Sequence, residues 1–330
     1  MKEFQVIELI KEALAESAEA DWIRLGIGDD AAVVACSPGM DVVSSIDSFL
    51  PDKHFPSDAP GDLIGYRAIM ASFSDLAAMG AHPKYGLISL TIERTTGSGI
   101  DWILDFARGC ASAANRIGVA LCGGNMSQGP LSISVSVHGE VETNKACLRA
   151  GGRPGDFIYV SGPLGSAAAC VRLNDLVPAD SHNLSPPQEA FYRPSARFDM
   201  SKYLETASSA IDISDGLASE VFHLCASSGR GVKLYEDKLP TDPHTYKTAR
   251  AFNLDPTLCM LSGGEDYELL FTIKQDDYEK VRNHPKLTVI GHSVAAPDAF
   301  TLVTKNGPEV PLQAQGWDGL KGRPEDQPTA

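Results

Sequence analysis

Polar and apolar positions trade places along the chain with two different periods. Between residues 131 and 138, Leu131, Ile133, Val135 and Val137 alternate with Ser132, Ser134, Ser136 and His138. A period of two predicts a β-strand with one buried face and one face toward water or an interface. From 100 to 117 the spacing of Ile100, Ile103, Leu104 and Ala107 is helical. The N-terminus follows the same rule, with Phe4, Ile7, Ile10 and Leu14 among Glu3, Glu8, Lys11 and Glu12, and predicts an amphipathic helix, not a signal peptide. Residues 157–161 predict a strand and 167–173 the helix after the turn Gly162-Pro163-Leu164-Gly165. Asn306-Gly307, between Leu302/Val303 and Val310/Leu312, predicts a hairpin. Strand-like and helix-like segments alternate throughout, so the class is mixed α/β (α+β).

Residues 149–156 crowd three glycines and a proline between two regular regions. That composition predicts a domain boundary, giving domains 1–148 and 149–320, with 321–330 as a polar, frayed tail. The 330 residues agree with two domains at roughly 150 residues each. Lys and Arg number 28 against 43 Asp and Glu, a net charge of −15. Such a chain lacks the cationic excess that binds nucleic acid. No apolar run approaches the roughly 18 residues of a membrane-spanning helix. The cysteines, at 36, 110, 122, 147, 170, 225 and 259, are odd in number and form no C-x-x-C pair. A reduced cytoplasmic protein without a zinc site or disulfide frame is expected.

Acidic residues collect beside glycine and after apolar runs: Gly28-Asp29-Asp30, Ser45-Ile46-Asp47, Ser74-Asp75, Asp212-Ile213-Ser214-Asp215-Gly216 and Gly263-Gly264-Glu265-Asp266. Carboxylates at strand ends line the crevice where α/β proteins bind ligands, and several together repel one another unless a cation is present. Oxygen ligands without His or Cys favour Mg²⁺. Each Asp taken alone also reads as a turn residue or helix cap. Asp212 resists that reading, because it interrupts the apolar run Ala210-Ile211-Asp212-Ile213, where an unpaired carboxylate costs several kcal/mol, on the order of a buried ion's desolvation. Walker A, G-x-G-x-x-G, G-x-S-x-G and H-E-x-x-H motifs are absent from the sequence. His54 follows the Asp47 cluster in a Pro-rich stretch and reads equally as a ligand contact or a surface loop residue.

Four motifs, Leu25-Gly26-Ile27-Gly28-Asp29-Asp30-Ala31-Ala32, Ser74-Asp75-Leu76-Ala77-Ala78-Met79-Gly80-Ala81, Ile211-Asp212-Ile213-Ser214-Asp215-Gly216-Leu217 and Ser262-Gly263-Gly264-Glu265-Asp266-Tyr267-Glu268-Leu269, resemble the thiamine-monophosphate kinase family. The resemblance runs in order from about residue 4 to about residue 320. It implies the two-domain aminoimidazole-ribonucleotide synthetase-like fold, with N-terminal domains pairing into a homodimer around a shared β-barrel. It implies transfer of the ATP γ-phosphoryl group to thiamine monophosphate with several Mg²⁺ ions. Carried over by position, Asp30, Ser45, Asp47, Asp75, Asn125, Asp212 and Asp215 become metal ligands. Gly124, Asn125, Arg149 and Ser214 become ATP contacts, and His54, Glu265 and Trp317 substrate contacts. Asp212, Asp215 and Arg149 carry the catalytic role. Arg149 also reads as a solvated linker charge, and Trp317 as a packing residue.

The family's usual Gly-Gly-Asp-Thr is Gly123-Gly124-Asn125-Met126 here. Asn keeps an oxygen ligand and loses a negative charge, so weaker Mg²⁺ binding at that position is expected. Ser72 stands where Asn is usual, and Pro51-Asp52-Lys53 where Glu-Gly-Val is usual before His54. Two rival readings remain beside the kinase: another ATP-using enzyme of the superfamily, and a binding homologue without turnover.

Overall fold

The serine-studded strand lies inside the first of two units in the computed structural model, which describes residues 3–28, 31–93, 99–173, 176, 178 and 181–313. The first unit draws on residues 1–76, 81–146 and 176–184, the second on 77–80, 147–175 and 185–330. Neither unit is one continuous stretch of chain.

The first unit opens with α1 (Glu3–Leu14) and the short pair β1 (Ile23–Leu25) and β2 (Val33–Val34). Then come β3 (Met40–Phe49), α2 (Gly61–Ala78), β4 (His82–Ile92), α3 (Ile100–Ile117), β5 (Ala120–Gln128) and β6 (Ser132–Glu142). The four long strands lie in the order β3-β6-β4-β5, and only β4 and β5 run parallel, joined through α3. Register follows the period-two pattern. Val43, Ser45, Asp47 and Phe49 of β3 sit opposite Gly139, Val137, Val135 and Ile133 of β6, the buried face. Val42, Ser44, Ile46 and Ser48 oppose Glu140, His138, Ser136 and Ser134 on the other face. Helix α3 ends where expected, because Gly118 adopts the left-handed conformation of a C-terminal cap.

The second unit contains β7 (Phe157–Val160), α4 (Ser166–Arg172), α5 (Pro186–Tyr192), α6 (Ser201–Leu204), β8 (Ala207–Asp212), α7 (Leu217–Ser227) and β9 (Gly231–Tyr235). It continues with α8 (Pro243–Ala251), α9 (Pro256–Ser262), β10 (Leu269–Ile273), α10 (Tyr278–Val281), β11 (Thr288–Val294), β12 (Phe300–Val303) and β13 (Glu309–Pro311). Its seven strands are ordered β13-β12-β9-β11-β7-β10-β8, antiparallel except for β12 beside β9. Both faces are covered. Leu270 of β10 joins Ile158, Val160, Ile211 and Val221 in one cluster, while Leu269, Phe271 and Ile273 join Tyr159 and Ala210 in the other. A strand buried on both sides has no reason to alternate, and β10 reads as the unbroken run Leu-Leu-Phe-Thr-Ile. The hairpin at Asn306-Gly307 joins β12 to β13, with the Gly307 N–H donating to Thr304 O at 2.8 Å.

Two sequence expectations change. Asp47 and Asp75 do not sit at turns beside strand ends: Asp47 lies within β3, and Asp75 is in the last turn of α2. Helix α2 is buried on nearly every side, from Leu63 to Ala78, so it lacks the polar stripe that marks a helix from a distance. The frayed tail anticipated at 321–330 lies outside the described residues. Among the described residues, no helix is long and apolar enough to cross a membrane.

Candidate active site

The anticipated residues divide into two groups, each inside one unit, while Asp30 and Trp317 lie outside the described residues. In the first unit, alternation along β3 turns Ser45 and Asp47 to the face that α2 covers, where Asp75 meets them. The Ser45 hydroxyl donates to Asp75 Oδ2 at 2.5 Å. Burial and then the charge of Asp75 raise the Asp47 pKa to about 6. Two neighbouring carboxylates, one of them accepting the Ser45 hydroxyl, with no basic partner among these contacts, form an all-oxygen donor set suited to a hard divalent cation. Among the described residues, no three His, Cys, Asp or Glu side chains come together as a complete metal cage.

His54 occupies the tight loop after β3. Its Nδ1 accepts the Leu50 N–H at 2.9 Å, which leaves the proton of the neutral ring on Nε2. The ring meets Phe49 edge-on at 6.0 Å. On β5, Gly124 has φ 158°, and a Cβ there would lie 1.9 Å from Ile88 O, so no side chain fits. Asn125 beside it is exposed and donates from Nδ2 to Ser127 Oγ at 3.0 Å. Gly124 and Asn125 edge an otherwise apolar cavity walled by Ile7, Leu14, Ile88 and Phe106.

In the second unit the two remaining motifs are clipped together. Asp212 is the last residue of β8, opposite Leu269, and only 5% exposed. Beyond it the chain turns into α7 through Ser214, Asp215 and Gly216. Glu220, one turn into α7, accepts the Asp215 N–H at 3.3 Å and the Ser214 hydroxyl at 3.4 Å on one oxygen. Burial above all lifts Glu220 to about 7, with the Asp215 charge adding to it and the Arg149 guanidinium opposing it. Arg149 itself is exposed, and its strand of chain is tied down on both sides. The Leu148 carbonyl accepts the Ala210 N–H at 3.0 Å, and Ser228 Oγ accepts the Gly151 and Gly152 N–H groups at 3.2 and 3.0 Å.

Glu265 lies on the loop before β10. The Glu265 N–H donates to Ser214 O at 2.8 Å, the Tyr267 N–H to Ile213 O at 2.9 Å, and the Ile213 N–H to Glu268 O at 2.8 Å. Beneath this loop Glu268, Ser161 and Arg197 form a largely enclosed network, in which Arg197 pairs with both Glu268 and Asp199 and donates to Ser161 O at 2.8 Å. The arrangement in this unit offers a basic group, a backbone turn and carboxylates within one framework, as an anionic ligand carried with a cation requires.

Sequence reasoning missed Glu220 and the Arg197 network. Glu220 carried a local signal, an acid in the first turn of a helix beginning at Gly216-Leu217. Arg197 and Glu268 are 71 positions apart and had none.

The AIR synthase related protein N-terminal domain matches residues 28–141. The thiamine-monophosphate kinase of Escherichia coli (strain K12) is 33% identical over 308 residues, covering 90% of this chain and 92% of the relative. The crystal structure of thiamine-monophosphate kinase from Stenotrophomonas maltophilia K279a superposes with a TM-score of 0.80 at 31% identity, over 93% of this chain and 98% of that one. A structure described as AaThiL complexed with AMPPCP and TMP gives a TM-score of 0.74 at 29% identity, over 96% of each chain.

Proposed function

The chain belongs to the thiamine-monophosphate kinase family, and from that premise we propose that it transfers the γ-phosphoryl group of ATP to thiamine monophosphate, giving thiamine diphosphate and ADP. The observation that carries this reading is the clipping of residues 264–267 onto residues 213–214, which holds Ser214, Asp215 and Glu265 of two distant motifs in one frame. A phosphate monoester has a second pKa near about 6, so the acceptor is already largely ionised at neutral pH. No general base is required. The acceptor oxygen attacks the γ-phosphorus in line as the bond to the β-phosphate bridging oxygen breaks, and the electron pair leaves with ADP.

Asp30, Ser45, Asp47, Asp75, Asn125, Asp212 and Asp215 are the residues proposed to hold Mg²⁺. The Asp47 and Asp75 pair supports this, since burial and mutual repulsion already disfavour the doubly ionised state without a counter-charge. Bound Mg²⁺ supplies charge neutralisation between the two phosphate groups. Asp212 and Asp215 act in catalysis as its ligands. Arg149 acts as the supplementary cation, and Ser214, Gly124 and Asn125 contact the nucleotide. The apolar cavity at Gly124 and Asn125 suits a flat nucleobase. His54, Glu265 and Trp317 take the thiamine moiety, with Glu265 offering a carboxylate to a cationic ring and Trp317 an aromatic face. Two copies are proposed to pair through the outer face of the first unit's sheet, closing a β-barrel, in a cytoplasmic homodimer.

Phosphorus NMR of the purified protein with thiamine monophosphate, ATP and Mg²⁺ tests the reading. Thiamine diphosphate and ADP should appear in equal amounts, vanish with a chelator, and form at least about 100-fold more slowly in Asp212→Asn. ADP without thiamine diphosphate would assign a different acceptor, and neither product would leave a binding protein without turnover.

A further inference from the structure

Three of the four residues from 264 to 267 hold left-handed backbone, with φ of 67° at Gly264, 65° at Glu265 and 51° at Tyr267. Glu and Tyr adopt that conformation only where the surroundings over-determine it, and such residues gather at ligand clamps. Here the surroundings do so from three sides. Residues 213 and 214 hold the backbone at Glu265 and Tyr267, Asp266 Oδ1 accepts the Gly165 N–H at 2.9 Å, and Glu268 is pinned by Arg197 and Ser161. A fixed backbone does not by itself set the direction of the Glu265 carboxylate, which depends on the side chain's own torsions. The Tyr267 hydroxyl restrains those torsions by donating to Glu265 Oε2 at 2.7 Å, and the Tyr267 ring is itself buried.

We propose that Tyr267 is a positioning residue that holds the Glu265 carboxylate in the orientation that receives the cationic ring of thiamine monophosphate. The inference rests on the reading above, which gives Glu265 to that substrate. Its physical content is preorganisation. A Glu side chain carries a large rotamer entropy that binding would otherwise have to remove, and a phenol donor on the carboxylate removes it in advance. The left-handed backbone at 265 and 267 and the bond between their side chains are held together in one short segment. Tyr267 touches neither nucleotide nor acceptor phosphate in this assignment, so its effect should be confined to the thiamine end of the substrate.

The test is calorimetric titration of the full chain, in Mg²⁺, with thiamine monophosphate and separately with AMPPCP, for wild type, Tyr267→Phe, Glu265→Gln and the double variant. Tyr267→Phe should weaken thiamine monophosphate about tenfold, the loss of one hydrogen bond to a charged group, and change AMPPCP less than about twofold. In steady state the same variant should raise KM for thiamine monophosphate and not KM for ATP. In the Glu265→Gln background the Tyr267→Phe change should add less than about twofold, since no carboxylate charge remains there for Tyr267 to orient toward the cationic ring. Equal weakening of both ligands, or a full tenfold loss persisting in the Glu265→Gln background, would overturn the positioning role. If Tyr267→Phe does not fold, Glu265→Asp withdraws the carboxylate and leaves the ring in place, and unchanged thiamine monophosphate binding there would overturn it equally. Wild-type protein that binds AMPPCP and not thiamine monophosphate would instead overturn the assigned substrate. Wild type and Tyr267→Phe binding it equally would overturn the positioning role alone.

Discussion

Asp266 lies between Glu265 and Tyr267, with its Oδ2 shut off from solvent. One oxygen accepts the Gly165 N–H, and the other has no hydrogen-bond partner among the described residues. Burial pushes its pKa well above the usual carboxylate range. The Gly165 N–H offsets part of this, and the charges of Glu268 and Glu265 add to it. The folded state therefore holds the Asp266 proton more tightly than the unfolded chain does. This group's contribution to stability is fully present below about pH 4, the unfolded pKa, and is lost as pH rises toward the folded one. Asn at this position keeps an acceptor for Gly165 and cannot ionise. Asp266→Asn should leave acid stability nearly unchanged and shrink the fall in urea midpoint between roughly pH 5 and pH 8. An unchanged difference between the two midpoints would contradict this account.

At the scale of elements, α2 and α3 approach until their backbones touch. A Cβ on Gly65 would lie 2.1 Å from Phe106 O, and one on Gly109 would lie 2.0 Å from Asp62 O. Ala is the better helix former by about 1 kcal/mol, yet overpacking here forces two buried helices apart at a cost of roughly 2–3 kcal/mol or more. Gly65→Ala should lower the urea midpoint, and a variant more stable than wild type would refute the packing argument. This contact also explains what the sequence could and could not reveal. Helix α3 and strand β6 face water or an interface on one side, so period and capping announced them at residues 100–117 and 131–137. Helix α2 and strand β10 are buried all round and carry no contrast to detect. Asp212 betrayed itself as a carboxylate inside an apolar run, whereas the meeting of Asp47 with Asp75 is a tertiary event between a strand and a helix end. Arg197 and Glu268 found each other in the same way, across a distance in sequence that no local pattern spans.

Over the whole chain, a net charge of −15 must coexist with two anionic substrates in the proposed reaction, and the metal binding proposed for the carboxylates would reconcile the two. The outer face of the first sheet sets the expected assembly. Ile46 is 67% and Val42 55% exposed, interleaved with Ser44, Ser48, Ser134 and Ser136, while Tyr85 stacks on His138 at 4.5 Å beside them. Apolar residues held on a flat strand face among hydroxyls suit burial against a second copy better than lasting exposure. Sedimentation should therefore give twice the chain mass for wild type and a shift toward monomer for Ile46→Lys; a monomeric wild type would dispose of the proposed pairing.

The other sheet ends differently. Among the described residues its outermost strand β13 is three exposed residues, one of them Pro311, and its Glu309 is anchored to Lys233 at 2.7 Å. Proline offers no N–H, and so short a strand gives an incoming chain little to pair with. Without β13, the open rim of β12 would become a template on which strands of other molecules could add. The rim at β13 is thus a poor template for strand addition, a property of the folded molecule that is separate from any single reaction.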